Sequence, residues 1–261
     1  MRNRKLNILI TGAGSGIGKA ISIKAGENHN VICISKSKKA KETSEIIGDN
    51  AKYLIADMGD IISLEKNLEN LLSKNENIDC VVHAAGMVGE VGPIEKTNAK
   101  EWLKVFNVNF FSSVLITKLL LPRYKKNNFG KFIYFSGGGS AYGYPVLPQY
   151  STSKTSLVRF VENLEMENKT NNIQSIVIAP GAVRTNMLKD VLEKEEKYGL
   201  SAEMRSNTEI NDVVDFIDYL INNDFKNISG KLVHIRDNWK EQITKGNKLP
   251  SNLWTLRRLE E

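Results

Sequence analysis

The stretch Leu6-Asn7-Ile8-Leu9-Ile10-Thr11-Gly12-Ala13-Gly14-Ser15-Gly16-Ile17-Gly18 decides the reading of this chain. Leu6–Thr11 is a short apolar run of strand type, and Ile17–Glu27 has helical spacing. Between them the glycines form a turn whose backbone N–H groups can approach a pyrophosphate, at a helix N-terminus that favours negative charge. A glycine pattern alone is weak, but one that leaves a strand and opens a helix has the context that dinucleotide binding requires. Gly12, Ser15, Gly16, Ile17 and Gly18 are therefore the first candidate cofactor contacts.

Outward from this turn the same alternation continues. Strand-like runs fall at Asn30–Ser35, Ala51–Ala56, Ile78–His83, Gly130–Phe135, Ile173–Ala179 and Lys231–Ile235. Helical spacing separates them at Ser63–Leu72, Trp102–Tyr124, Ser151–Asn168 and Ile210–Ile221. Apolar strands joined by amphipathic helices predict an α/β fold: a doubly wound parallel sheet with helices on both faces, binding ligands beyond the carboxyl ends of its strands. At 261 residues one domain is expected, over 1–236, followed by a C-terminal tail over 237–261.

The second strand ends Ser35-Lys36-Ser37-Lys38. An acidic residue there would select the ribose 2′-hydroxyl of NAD, whereas Ser35 and Lys36 suit a 2′-phosphate, so NADP(H) is favoured over NAD(H). Asp57 follows the third strand and offers an acceptor for the adenine amino group. Ala84, Ala85 and Gly86 follow the fourth, small enough to let a cofactor approach the backbone. His83 before them reads as a satisfied structural histidine and is assigned no chemistry.

Tyr150 and Lys154 stand four apart at the opening of a helical segment, on one face. A free tyrosine titrates near pH 10, so an ammonium beside it would help it exchange a proton with an alcohol. With these residues in view, the chain resembles the short-chain dehydrogenase/reductase family over about residues 5–235. The likeness is carried by Thr11-Gly12…Gly16-Ile17-Gly18, Asp57, Ala85-Gly86, Asn107-Val108-Asn109, Tyr150…Ser153-Lys154 and Pro180-Gly181…Thr185, in that order. The resemblance implies a Rossmann-type sheet of about seven strands and hydride transfer between nicotinamide and a carbonyl/secondary alcohol pair. It makes Tyr150 the proton donor/acceptor, Lys154 the residue that tunes it and binds ribose, and Asn109 the anchor of a proton-relay water. Met58 joins the cofactor contacts, and Pro180, Gly181, Val183 and Thr185 clamp the nicotinamide carboxamide.

The family's carbonyl-polarising serine, 13 residues before the tyrosine, is Gly137 here. Ser136 is the first candidate to replace it, with Ser140 and backbone N–H groups of the glycine loop as alternatives. Losing that donor slows catalysis without abolishing it, so a catalytically impaired dinucleotide-binding sensor is the alternative function. The stretch Arg184–Met204 is expected to lie over the substrate pocket.

Composition bounds the rest. The net charge of +6 is spread among acidic residues without a basic–aromatic stripe, which argues against nucleic acid as partner. The longest apolar run, Phe110 to Pro122, is broken by Lys118 and reads as a buried helix, not a membrane span. Cys33 and Cys80 sit in strand-like runs as reduced thiols, no metal site is legible, and a cytoplasmic location is expected. The resemblance implies a homodimer or homotetramer built on Trp102–Tyr124 and Ser151–Asn168. The Ser-Gly-Gly-Gly loop, Asp237-Asn238-Trp239 and the Leu256-Arg257-Arg258 ending resemble a branch of bacterial saccharide-biosynthesis reductases, which implies Arg257 and Arg258 meeting a substrate anion; the other reading is a tail that packs on its own or a neighbouring subunit through Trp239 and Trp254.

Overall fold

Seven parallel strands, in the spatial order Ala51–Ile55, Asn30–Ser35, Asn7–Thr11, Cys80–His83, Gly130–Phe135, Ile173–Ala179 and Leu232–His234, form the centre of the protein, seen here in a computed structural model. The structure describes residues 4–74, 76–195, 198, 207–245 and 249–258. Along the chain run β1 (Asn7–Thr11), α1 (Gly16–Gly26), β2 (Asn30–Ser35), α2 (Lys39–Ile47), β3 (Ala51–Ile55), α3 (Ile61–Ser73) and β4 (Cys80–His83). They are followed by α4 (Ala99–Phe106), α5 (Ser112–Asn127), β5 (Gly130–Phe135), α6 (Pro148–Glu167), β6 (Ile173–Ala179), β7 (Ala182–Val183) and α7 (Asn186–Glu195). The last are β8 (Asn207–Thr208), α8 (Ile210–Asn222), β9 (Leu232–His234) and α9 (Trp239–Lys245), with β7 and β8 paired in a small separate ladder.

Each sheet face has its own core. On one, Ile21 of α1 and Val213, Phe216, Ile217 and Leu220 of α8 cover Ile8, Ile10 and Ile178. On the other, Leu64 and Leu68 of α3, Leu115 and Leu120 of α5 and Leu157 and Val161 of α6 cover Leu9, Phe132 and Val177. Every residue of β5 and β6 is buried, as central strands covered on both faces require. Cys33 and Cys80 are free, buried thiols.

Two elements differ from expectation. The helix α2 has few apolar residues and gave no periodic signal, yet Ala40 and Ile47 pack into the core. The helix expected over Trp102–Tyr124 is a 29-residue run, Ala99–Asn127, whose middle turn at Asn107–Phe111 is a π-helix. By length and composition that run is long and apolar enough to cross a membrane, more than the interrupted sequence suggested. In the fold its buried stripe, Leu115, Ile116, Leu120 and Tyr124, lies on the sheet.

The described part of the tail packs back on the domain. Trp239 stacks on Phe216 at 4.0 Å between ring centroids. The carbonyl of Trp254 accepts the N–H of Leu232 at 2.8 Å, and Leu256 packs on the core beneath α6. Arg257 pairs with Glu162, which also pairs with Arg159.

Candidate active site

The turn after β1 is built from backbone held closely to backbone. Gly12 has φ +71°, and a Cβ there would lie 2.9 Å from the Ala85 main chain, so this position needs glycine for both conformation and space. The Ala85 N–H donates to Thr11 Oγ1 at 3.1 Å, locking the ends of β1 and β4 together. Ser15 is the N-cap of α1 but makes no side-chain capping bond, and the first turn holds no acidic residue. The N-terminal N–H groups of α1 are therefore not claimed by the protein's own side chains, as a pyrophosphate cradle requires. A Cβ on Gly16 would meet Thr185 at 3.5 Å, which brings the turn and the Pro180–Thr185 segment together.

At the end of β2, Ser35 Oγ donates to the Ser37 carbonyl at 2.9 Å and Lys36 is exposed. Asp57 is exposed and its carboxylate accepts the Gly59 N–H at 2.8 Å, whereas Met58 beside it is buried. Ala84, Ala85 and Gly86 are half-buried at the end of β4. All of these lie at carboxyl ends of strands or in the loops that follow them.

Tyr150 sits in the first turn of α6 and is half-buried; Lys154, one turn on, is buried. Lys154 Nζ donates to the Phe135 carbonyl at 2.8 Å and lies 6.0 Å from the centroid of the Tyr150 ring. Burial pulls the Lys154 ammonium down from 10.5 to about 8. Burial, reinforced by Tyr144, pushes the Tyr150 phenol up to about 12. Burial sets the balance, and Tyr150 holds its proton at neutral pH.

Asn109 lies within the π-turn, where an extra residue in the helix aims its amide inward. Its Nδ2 donates to the Met87 carbonyl and to Ser153 Oγ, both at 2.9 Å, and its Oδ1 accepts the Met87 N–H at 2.8 Å. A Cβ on Gly86 would stand 3.5 Å from both Asn109 Oδ1 and Lys154 Nζ, so the missing side chain leaves space between them.

The serines are placed differently. Ser136 Oγ is buried and turned to the Lys154 carbonyl at 3.4 Å; Ser140 Oγ donates to the Gly137 carbonyl at 2.8 Å. It is Gly137 that meets the tyrosine: a Cβ there would lie 2.3 Å from the Tyr150 hydroxyl. His83 also departs from expectation, because neither ring nitrogen has a hydrogen-bond partner among the described residues. It stacks on Tyr134 at 4.4 Å and 4°, and burial, helped by Lys154, pulls it down to about 3.

Tyr150 and Gly137 open on a cavity of about 330 Å³, whereas Lys154, Asn109, Ser136 and His83 are not among its lining residues. Tyr150, Gly137, Ile17, Pro180, Gly181, Val183 and Thr185 line it, with an apolar wall from Val88, Leu147, Leu188 and Val191. Met187 also lines it, and α7 provides the cover expected of Arg184–Met204, although 196, 197 and 199–204 lie outside the described residues. Three polar lining residues were missed in the sequence: Tyr144, His234 and Arg236. The last two sit at the carboxyl end of β9, where the parallel-sheet rule points. Arg257 does not reach this cavity: its partner Glu162 stands 12 residues after Tyr150 on α6, about 18 Å along the helix at ~1.5 Å per residue.

The family model described as short chain dehydrogenase matches residues 6–196. Benzil reductase ((S)-benzoin forming) of Saccharomyces cerevisiae is 32% identical over 205 residues, covering 74% of this chain and 78% of that protein. A 3-oxoacyl-[acyl-carrier-protein] reductase of Haemophilus influenzae is 28% identical over 231 residues, covering 87% of this chain and 95% of that protein. Among solved structures, a 3-ketoacyl-(acyl-carrier-protein) reductase from Brucella melitensis complexed with NADH superposes with a TM-score of 0.79. That likeness, at 22% identity over 90% of this chain and 97% of the other, is one of fold.

Proposed function

The chain belongs to the short chain dehydrogenase family, oxidoreductases that interconvert CH–OH and C=O with a nicotinamide dinucleotide, and from that premise we propose an NADP(H)-dependent reductase of a small carbonyl compound. The observation that carries this reading is the convergence of Tyr150, Gly137 and the Pro180–Thr185 segment on one cavity, with Lys154 and Asn109 behind it. When bound, the dinucleotide supplies the hydride. The turn Gly12–Gly18 holds its pyrophosphate, Asp57, Met58 and Ala84–Gly86 line the adenine side, and Pro180, Gly181, Val183 and Thr185 hold the carboxamide.

Tyr150 gives its proton to the carbonyl oxygen as the alcohol forms. Its high proton affinity keeps it in the donor form at pH 7. Lys154 holds positive charge beside the phenolate left behind and contacts the ribose. The space between Lys154 Nζ and Asn109 Oδ1 seats a water that returns the proton. Ser136, turned to the Lys154 carbonyl, acts as a positioning residue, and Tyr144, which lines the cavity, takes over polarisation of the carbonyl.

Preference for NADP(H) rests on Ser35 and the exposed Lys36. A charge-assisted contact to the 2′-phosphate contributes about 1.5–3 kcal/mol, roughly ten- to hundredfold in affinity. Fluorescence titration with NADPH and NADH tests it: wild type binds NADPH more tightly, and Lys36→Asp loses at least about tenfold of that preference. An unchanged ratio refutes the assignment, and tight binding without NADPH oxidation on any carbonyl favours the impaired sensor. The exposed Leu103, Phe111 and Met166 on α4, the π-turn and α6 support a homo-oligomer, which sedimentation would measure.

A further inference from the structure

The cavity has two walls that come from distant parts of the chain. Val88 stands on the loop that leaves β4, and Leu147 and Tyr150 stand at the start of α6. Two contacts join these segments, one on either side of Leu147.

Gln149, one residue before Tyr150, is fully buried. Its Oε1 accepts the Glu90 N–H at 2.9 Å, and its Nε2 donates to Glu90 Oε2 at 3.2 Å. One amide thus spends its acceptor and its donor on a single residue, which fixes both the backbone and the side chain of Glu90. Glu90 Oε2 also accepts the Asn98 N–H at 2.6 Å, which carries the tie on to the N-cap of α4. Gly89 makes the approach possible. It has φ +81°, and a Cβ there would run into Gln149 Oε1 and stand 2.6 Å from Val105 Cγ2.

The second contact is the Gly92 N–H, which donates to the Val146 carbonyl at 2.8 Å. Val146 has φ +59°, a left-handed backbone that a β-branched residue keeps only where its surroundings hold it. At the near end of the loop Met87 is held by Asn109 through both its N–H and its carbonyl. Val88 is therefore a cavity-lining residue on a loop pinned before it and after it. We infer that Gln149 is a positioning residue that sets substrate size: through Glu90 it holds Val88 opposite Tyr150, and so limits the group that the substrate carries beside its carbonyl. The approach of that carbonyl to Tyr150 rests on the reductase reading; the wall does not.

The tie can be broken and remade. Gln149→Glu sets a carboxylate against that of Glu90, Glu90→Gln keeps an acceptor for Gln149 and Asn98, and the double variant offers the same donor and acceptor the other way round. Hydrogen exchange followed by mass spectrometry over residues 87–98 reads the tie. It should quicken at least about tenfold in Gln149→Glu and return to the wild-type rate in the double variant. Calorimetry on protein saturated with NADP⁺ reads the wall, with acetophenone and 2-acetylnaphthalene, methyl ketones that differ by one fused ring. Wild type should bind the smaller at least about tenfold more tightly. That ratio should collapse in Gln149→Glu, recover in the double variant, and fall also in Val88→Ala, which leaves the tie intact. NADPH affinity within about twofold throughout is the control on folding. Exchange that Gln149→Glu leaves unchanged overturns the tie, and a size ratio that ignores both single variants, or binding of neither ketone, overturns the wall. NADPH oxidation is followed separately. Size selection that follows Gln149 without oxidation sinks the reductase reading and leaves the positioning role standing; reduction of both ketones at a ratio that ignores Gln149 does the reverse.

Discussion

Replacing Lys154 with methionine should stabilise the protein while ending its activity. Lys154 is buried with its ammonium charged at pH 7, and the fall from 10.5 to about 8 measures the cost of keeping it so. At about 1.4 kcal/mol for each tenfold change in proton affinity, that cost is about 3 kcal/mol. Methionine fills the same channel without charge, but it leaves the Phe135 carbonyl without its donor, a loss of about 1 kcal/mol. The net gain of about 2 kcal/mol should raise Tm by about 4–8 °C for a chain of this size. The effect has a pH signature. Between about 8 and 10.5 the unfolded chain keeps the lysine proton that the folded chain has released, so wild-type stability rises with pH there. The gap between Lys154→Met and wild type should therefore shrink from pH 7 towards pH 10. Thermal unfolding followed by circular dichroism across that range measures it, and a variant less stable than wild type, or a gap that ignores pH, refutes the reasoning.

Three further outcomes are expected. Gly137→Ser restores the hydroxyl usual in the family, yet it should lower kcat, because its Cβ would stand 2.3 Å from the Tyr150 hydroxyl and displace it; a rise in kcat would contradict the packing. His83 binds a proton at about 3 when folded and near 6.5 when unfolded, so stability should be lost as pH falls below 6.5, by about 2 kcal/mol at pH 5. His83→Phe, which keeps the stack on Tyr134, should flatten that acid limb in urea titrations. Tyr144→Phe should lower kcat by about 10², as loss of a carbonyl donor does, whereas Ser136→Ala should leave kcat within about threefold; the opposite ranking would return the role to Ser136.

The signals that could be read along the chain were local ones. The β1–turn–α1 unit was legible because the apolar run, the glycines and the helix adjoin one another, and Tyr150 and Lys154 because one helical turn joins them. Ser136 and Gly137 were harder, since which of two neighbours faces Tyr150 depends on the pleat of β5 and on where α6 lies over it. His234 and Arg236 enter the cavity through the pairing of β9 with β6 and the return of residues 180–185, contacts between distant parts of the chain. Which of the two readings of the tail holds for Arg257 was hidden for the same reason, as nothing near it in sequence announces Glu162. His83 shows a different limit: composition suggests that a buried polar group finds a partner, and here ring stacking stands in place of one.

The tail that lays the Trp254 carbonyl on Leu232 gives the sheet two unlike margins. An open parallel sheet ends in strands whose free N–H and C=O groups invite a foreign strand, and unguarded edges are where aggregates and fibrils begin. At β9 the protein's own C-terminal segment occupies part of that margin, with Leu256 half-buried against the core and Arg257 fastened to Glu162. At β3 no described strand pairs on the outer side, and Lys52, Tyr53 and Ile55 along it are exposed. Strand-to-strand growth, if this chain undergoes it, has one side from which to start, and loss of the last dozen residues would make it two.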